Sequence, residues 1–222
     1  MVQIFKDEAV IFDLDDLLYK EFDYMRSGFW EIAGIVDKNK PKELFRLMMV
    51  QYFLGNAVIS WLCNDYLKDS KVFTLTVILN IYRSHKPEIS INSEAMILLN
   101  KLKANGNQLG LITDGRSVAQ RNKINALGLK NWIQEFSISE ETGFEKPSLE
   151  PYLFFMKKFQ AKKFVYIADN YNKDFIAPNQ LGWRTIALQD NGLNIHSKKE
   201  SLDQGYMPGY RIKNLSELTV CF

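Results

Sequence analysis

Three short apolar runs stand out along the chain, and each ends in polar or acidic residues. Residues 9–14 read AVIFDL, residues 109–113 read LGLIT before Asp114-Gly115, and residues 164–168 read FVYIA before Asp169-Asn170. Short continuous runs rich in β-branched and aromatic residues predict strands buried on both faces of a sheet. Between and after them the apolar spacing becomes helical. Ser93 is placed to cap a helix carrying Ala95, Met96, Leu98, Leu99 and Leu102, with Gly106 past its end. Residues 117–127 before Gly128, 150–159, and 173–181 before Gly182 read as further helices. Strand alternating with helix predicts an α/β fold with a doubly wound, Rossmann-like parallel sheet. Ligands in such a sheet sit beyond the carboxyl ends of the strands, where these acids fall.

Residues 20–83 break the rhythm. They are rich in Phe, Tyr, Trp, Met and Leu, and Phe45, Met48, Met49, Tyr52 and Phe53 recur at helical spacing. This predicts a small all-α insert, with residues 1–19 and 84–222 forming the α/β core. Its aromatic stripes are expected to pack as core. Residues 192–209 read as a loop before a last short segment at 210–218.

A chain of 222 residues that is 46% hydrophobic can bury a sizeable core. Its net charge of +2 names neither nucleic acid nor an anionic membrane as a partner. Cys63 and Cys221 are the two cysteines and lack metal-site spacing, which argues against a disulfide framework or zinc and for a reducing cytoplasm. Lys6, Asp7 and Glu8 interrupt the opening residues, so neither a signal peptide nor a membrane span is expected.

The candidate chemistry lies in the acids. In an extended strand, residues two apart point the same way, so Asp13 and Asp15 can address one site while Leu14 packs inward. Asp at a strand end is also a common turn former or helix cap. Asp169 and Asp174 follow a different strand, and carboxylates gathered at one sheet edge are what Mg²⁺ takes as ligands.

Together, Asp13-Leu14-Asp15 after the first strand, Thr113 after the second, Lys146 before Pro147, and Asp169 with Asp174 after the third resemble the four ordered motifs of the haloacid dehalogenase-like superfamily. The resemblance covers residues 9–19 and about 84–188, and the helical insert is similar to the cap many members carry. The stretches YRSHKPEI, TDGRSVAQRNKINALGL and ADNYNKDFIAPNQLGW look like a subgroup of phosphatase-like members. The resemblance implies a Mg²⁺-dependent phosphohydrolase acting on a small phosphorylated metabolite. Asp13 would be the nucleophile that forms an aspartyl-phosphate. Asp15 would be the acid and then the base. The metal would be held by the Asp13 carboxylate, the Asp15 backbone carbonyl and Asp169. Thr113, with backbone N–H groups near Asp114 and Gly115, would hold phosphate beside Lys146. Asp174 would orient Lys146 or a metal-bound water, with Asn170 alongside. Leu17 and Ala168 depart from the usual residues at their positions, yet neither is at a reacting atom. An Asp at position 15 favours phosphoryl over dehalogenase chemistry.

Other polar residues carry ordinary readings beside functional ones. Arg83, His85 and Lys86 fall where the insert rejoins the core, facing either substrate or solvent. Arg116, Gln120 and Arg121 follow the phosphate turn on a helix. Asp16 is expected to cap or solvate its loop, His196 to lie on the surface, and Trp183 to pack at the sheet edge. Lys20, Lys38, Lys40, Lys42, Lys68 and Lys71 leave open an amine nucleophile of the phosphonate-cleaving kind. A phosphotransferase or phosphomutase, or a non-catalytic binding protein on the same fold, are the alternatives.

Overall fold

The structure, a computed structural model, describes residues 1–192, 194 and 203–221. Its strands are β1 Val2–Phe5, β2 Glu8–Phe12, β3 Leu109–Thr113, β4 Glu135–Ile138, β5 Lys163–Ala168, β6 Arg184–Leu188, β7 Tyr210–Ile212 and β8 Leu218–Cys221. Six of them form one parallel sheet in the order β4-β3-β2-β5-β6-β7, and β1 pairs with β8 apart from it. From β2 the chain winds outward through β3 and β4, then crosses to β5 on the other side of β2. The sheet therefore reverses direction between β2 and β5, and a crevice opens beyond their carboxyl ends. Asp13 and Asp169 follow those two ends.

The run in β2 is continuous because both faces are covered. Val10 and Phe12 pack on one face, against Leu98, Leu99 and Leu102 of helix α5 (Ser93–Asn105) and Ile124 of α6 (Ser117–Ala126). Ala9 and Ile11 pack on the other, where Tyr152 and Phe155 of α8 (Glu150–Lys158) join Tyr166 and Trp183. Full burial of each such large side chain stabilises by roughly 1.5–3 kcal/mol. A Cβ on Gly110 of β3 would lie 2.2 Å from the Phe155 ring, so glycine is what lets that ring lie against the strand.

Residues 21 to 84 are helical throughout most of their length. They hold α1 (Glu21–Val36), α2 (Pro41–Phe53), α3 (Val58–Trp61), a π turn at Leu62–Tyr66 and α4 (Leu75–Ser84). Proline at the first helical position of α2, where its missing N–H goes unneeded, starts that helix. Phe29, Ile32, Leu44, Met48, Leu62 and Ile78 form a core of their own, separate from the two that sandwich the sheet. No helix among the described residues is long and apolar enough to cross a membrane.

Several expectations are corrected in detail. Asn92, not Ser93, occupies the cap position of α5, while Gly106 ends it in the left-handed region at φ 84°. The helix anticipated over residues 173–181 is only α9 (Ile176–Gln180), because residues 170–174 close a turn in which Asn170 O accepts from the Lys173 and Asp174 N–H groups. Trp183 is core, stacked on Phe164 at 4.6 Å, but β7 pairs outside β6, so it is not at the edge. Strands β1, β4, β6, β7 and β8 and the short helix α7 (Ser139–Thr142) add to the three runs read from the sequence. His196 lies outside the described residues.

Candidate active site

Strand β2 stops at Phe12, so period-two alternation does not carry on to Asp15. A turn takes over. Asp16 adopts φ 56°, a left-handed conformation that Asp tolerates better than most side chains, and its Oδ1 accepts the Glu21 N–H at 3.1 Å at the start of α1. Asp16 thus closes its loop against the first turn of α1, whose N-cap position is Lys20. The turn leaves Asp13 and Asp15 lining one cavity of about 230 Å³ with Asp16, Glu21, Thr113, Asp114, Gly115, Gln120, Asp169, Asn170 and Lys173.

Asp13, at the end of β2, is buried and meets Lys146 from the loop after α7. Lys146 Nζ donates to Asp13 Oδ1 at 2.7 Å and pairs with Asp174 Oδ1 at 2.8 Å. The Tyr166 hydroxyl lies 3.3 Å from the same ammonium. Burial works against the lysine charge, but Asp13, Asp174 and Asp114 outweigh it and hold the ammonium well above its usual pKa. Burial also dominates at Asp13, and with the Asp174 charge it overcomes the pull of Lys146 and Lys173 to push this carboxyl up to about 6. Asp169 is pushed well up by burial and by Asp13 and Asp174.

Asp13, Asp169 and Asp174 each bring a carboxylate oxygen within 4.8 Å of the others. Three anionic oxygen donors around one point fit a hard divalent cation such as Mg²⁺, and the raised acids are those whose repulsion a cation would relieve. Asp174 is the most committed of the three. Its Oδ1 pairs with Lys146 and its Oδ2 accepts the Asn170 N–H at 3.0 Å, which suits it to orienting neighbours.

Asp15 sits in a different setting. Its Oδ1 accepts from Lys123 Nζ at 2.7 Å and from the Tyr19 hydroxyl, and Gln120 Nε2 lies 3.5 Å from Oδ2. Burial alone would raise its pKa, but Lys123, Tyr19 and Gln120 together hold it below the ordinary value. Glu21, at the mouth of the cavity, is pushed up to about 8 by burial and by the Asp15 charge.

The remaining residues fall as follows. Thr113 is buried at the end of β3 and lines the cavity. Gly115, at φ 138°, donates its N–H to Ser139 Oγ at 2.9 Å, so that amide is already engaged. Asp114 accepts from the Lys146 N–H at 3.1 Å and from Lys173 Nζ at 2.7 Å, tying the second, third and fourth motifs together. Arg116 and Arg121 pair with Glu140 and Glu141 on the surface. His85 is buried after α4, its Nδ1 at 2.6 Å from Tyr82 O. Lys123 and Lys173 were not singled out in the sequence. A lysine on the α6 face shared by Ala119, Gln120 and Ile124 was the signal for the first, and the position directly before Asp174 the signal for the second.

Residues 10–188 match the model of a protein family described as haloacid dehalogenase-like hydrolase. The chain belongs to that family. Among its relatives, the glyceraldehyde 3-phosphate phosphatase of Methanocaldococcus jannaschii is 26% identical, with 95% of each chain covered. The protein of the same name from Methanothermobacter thermautotrophicus is 25% identical, covering 88% of this chain and 93% of its own. Among solved structures, the HAD phosphatase of Thermococcus onnurineus superposes with a TM-score of 0.59 at 18% identity over 95% of both chains. The haloacid dehalogenase-like fold accounts for the order in which the four motif loops meet at the sheet crevice.

Proposed function

We propose that this member of the haloacid dehalogenase-like family is a phosphatase that hydrolyses the phosphate ester of a small metabolite through an aspartyl-phosphate on Asp13, with Mg²⁺ as cofactor. The observation that carries the reading is that Asp13 and Asp169 line a cavity only about 230 Å³ in volume, with Asp13 paired to the buried Lys146 that Asp174 shares. Two relatives matched over most of their length are named for glyceraldehyde 3-phosphate, and a three-carbon phosphate is of a size this cavity can take. It is the first substrate to test.

In the mechanism, Asp13 attacks phosphorus while Asp15 protonates the leaving oxygen; Asp15 then takes a proton from the water that releases phosphate. Lys146, fixed between two carboxylates, supplies positive charge beside the transferring group. Thr113 and the backbone N–H of Asp114 hold phosphate oxygens, the Gly115 N–H being taken by Ser139, and Lys173 adds a second cation at the cavity wall. Mg²⁺, when bound by Asp13, Asp169 and the Asp15 carbonyl, would offset the like charges of nucleophile and phosphate. Residues 20–83 act as a cap over this site and select the substrate. Glu21, the first residue of α1 and a cavity wall, is pushed up to about 8 and is therefore protonated at neutral pH, where it can donate a hydrogen bond to the leaving group.

The test is phosphate release from a panel of phosphorylated sugars, aldehydes, nucleotides and organic acids, with Mg²⁺ and after exhaustive chelation. Metal-dependent turnover of a small phosphate monoester is the expected result. Turnover that survives chelation would overturn the metal role. Transfer of phosphate to a sugar hydroxyl in place of water would mark a phosphotransferase.

A further inference from the structure

The Asp15 carboxylate has two unequal oxygens. Oδ1 takes two donors, Lys123 Nζ at 2.7 Å and the Tyr19 hydroxyl, whereas Oδ2 has one long contact of 3.5 Å with Gln120. Lys123 reaches this point from α6, the helix that follows β3, and is 3% exposed. Its ammonium also lies 4.2 Å from the centre of the Tyr24 ring on α1, a cation–π contact. A buried ammonium needs an anion, and Asp15 is its one ion-pair partner among the described residues. The pair therefore fixes the rotation of the carboxylate.

We propose that Lys123 is a positioning residue for the phosphatase reaction: by holding Oδ1, it presents Oδ2 of Asp15 to the leaving oxygen. The inference rests on the phosphatase reading and assigns this lysine a role within it. In the step concerned, the Asp13 carboxylate oxygen bonds to phosphorus as the bond from phosphorus to the leaving oxygen breaks. That oxygen keeps the electron pair and takes a proton through Asp15: ionised in its pair with Lys123, the carboxylate accepts on Oδ2 the proton of the bound phosphate monoanion and passes it to the leaving oxygen. Lys123 stays protonated and makes no bond to substrate. Its helix brings Asn122 as well, whose amide donates to the carbonyls of Ser84 and His85 at 3.1 and 2.9 Å, so the helix that aims the acid also grips the segment after α4.

Leaving-group dependence tests this, because an alkoxide needs a proton on departure and p-nitrophenolate does not. The measured quantity is kcat/KM, which reports the steps through phosphoryl transfer to Asp13. For Lys123→Met, kcat/KM on glyceraldehyde 3-phosphate is expected to fall about 10²-fold, and on p-nitrophenyl phosphate less than ~10-fold. Equal proportional losses on both esters would mean a merely structural lysine and overturn the proposal. Removing the cation strands a buried carboxylate, so the Asp15→Asn variant is compared with Asp15→Asn/Lys123→Met, where no charge is stranded. The second substitution should then change neither rate by more than about 2-fold, since the lysine acts through Asp15. A further large loss on the alkyl ester would overturn the inference. A wild-type enzyme that releases phosphate from neither ester would overturn the phosphatase reading, and this inference with it.

Discussion

Asp13 and Asp15, two residues apart in the chain, line the same cavity and each pairs with a buried lysine, yet they behave in opposite ways. At Asp13 one ammonium is shared between two carboxylates, with Asp169 close by, and the acid is pushed up to about 6. At Asp15 one carboxylate has an ammonium to itself, plus a phenol and an amide, and is held below its ordinary value. Burial raises both acids. The sign of the result is decided by how many anions share each cation. An anionic surplus at Asp13 is what a metal site requires, and the balanced pair at Asp15 fixes a side chain in place.

The largest effect expected from breaking this contrast is at Asp13 itself. Asp13→Asn keeps the shape but removes the proposed nucleophile, so phosphate release should drop by roughly 10⁴-fold or more while thermal unfolding shows an intact fold. Retained turnover would place the nucleophile elsewhere.

Next comes the shared cation. Lys146→Met leaves Asp13 and Asp174 buried without a counter-charge, and should destabilise the metal-free protein by about 3–5 kcal/mol in urea unfolding. Lys123→Met strands one carboxylate in place of two and should lose less. If the two variants lost equal stability, the count of anions would not be what separates the sites.

The pH dependence sharpens the same point. An acid whose pKa is raised by folding opposes the folded state once ionised, so Asp13 withdraws stability as pH climbs from 3.8 to about 6. Glu21 does likewise from 4.5 to about 8. Asp15 runs the other way, adding stability that is complete above 3.8 and lost as pH falls below it. Metal-free protein should therefore lose melting temperature between about pH 5 and pH 8. Excess Mg²⁺ should recover about 2.7 kcal/mol at pH 8 when present at 100 times its Kd, and little at pH 5. A melting temperature flat with pH, or Mg²⁺ stabilising equally at both, would contradict the anionic surplus.

The smallest effect concerns the phenol at Asp15. Tyr19→Phe removes one donor of two from Oδ1 and should cost about 1 kcal/mol of stability, with a loss of activity below ~10-fold. A loss as large as that of Lys123→Met would shift the positioning role from the lysine to the tyrosine.

Much of this molecule was determined by the sequence alone. The runs at 9–14, 109–113 and 164–168 read as buried strands from their shortness, their β-branched and aromatic residues and their polar ends, and the strands formed there end at Phe12, Thr113 and Ala168. Thr113 and the acids that follow these strands, Asp13, Asp114 and Asp169, line one cavity. Helices over most of residues 21 to 84 followed from spacing in the same way. Strand β4, with two half-buried residues, and the three-residue β7 were illegible, because edge strands gain their order from the neighbour they pair with. The partner of each lysine was likewise beyond the sequence. Lys146 lies 133 residues from Asp13 and Lys123 lies 108 from Asp15. Local patterns report which face of an element is buried, whereas an ion pair depends on which loops the sheet order brings to one crevice. The reversal between β2 and β5 made that choice, and with it the opposite directions in which the pKa values of Asp13 and Asp15 move.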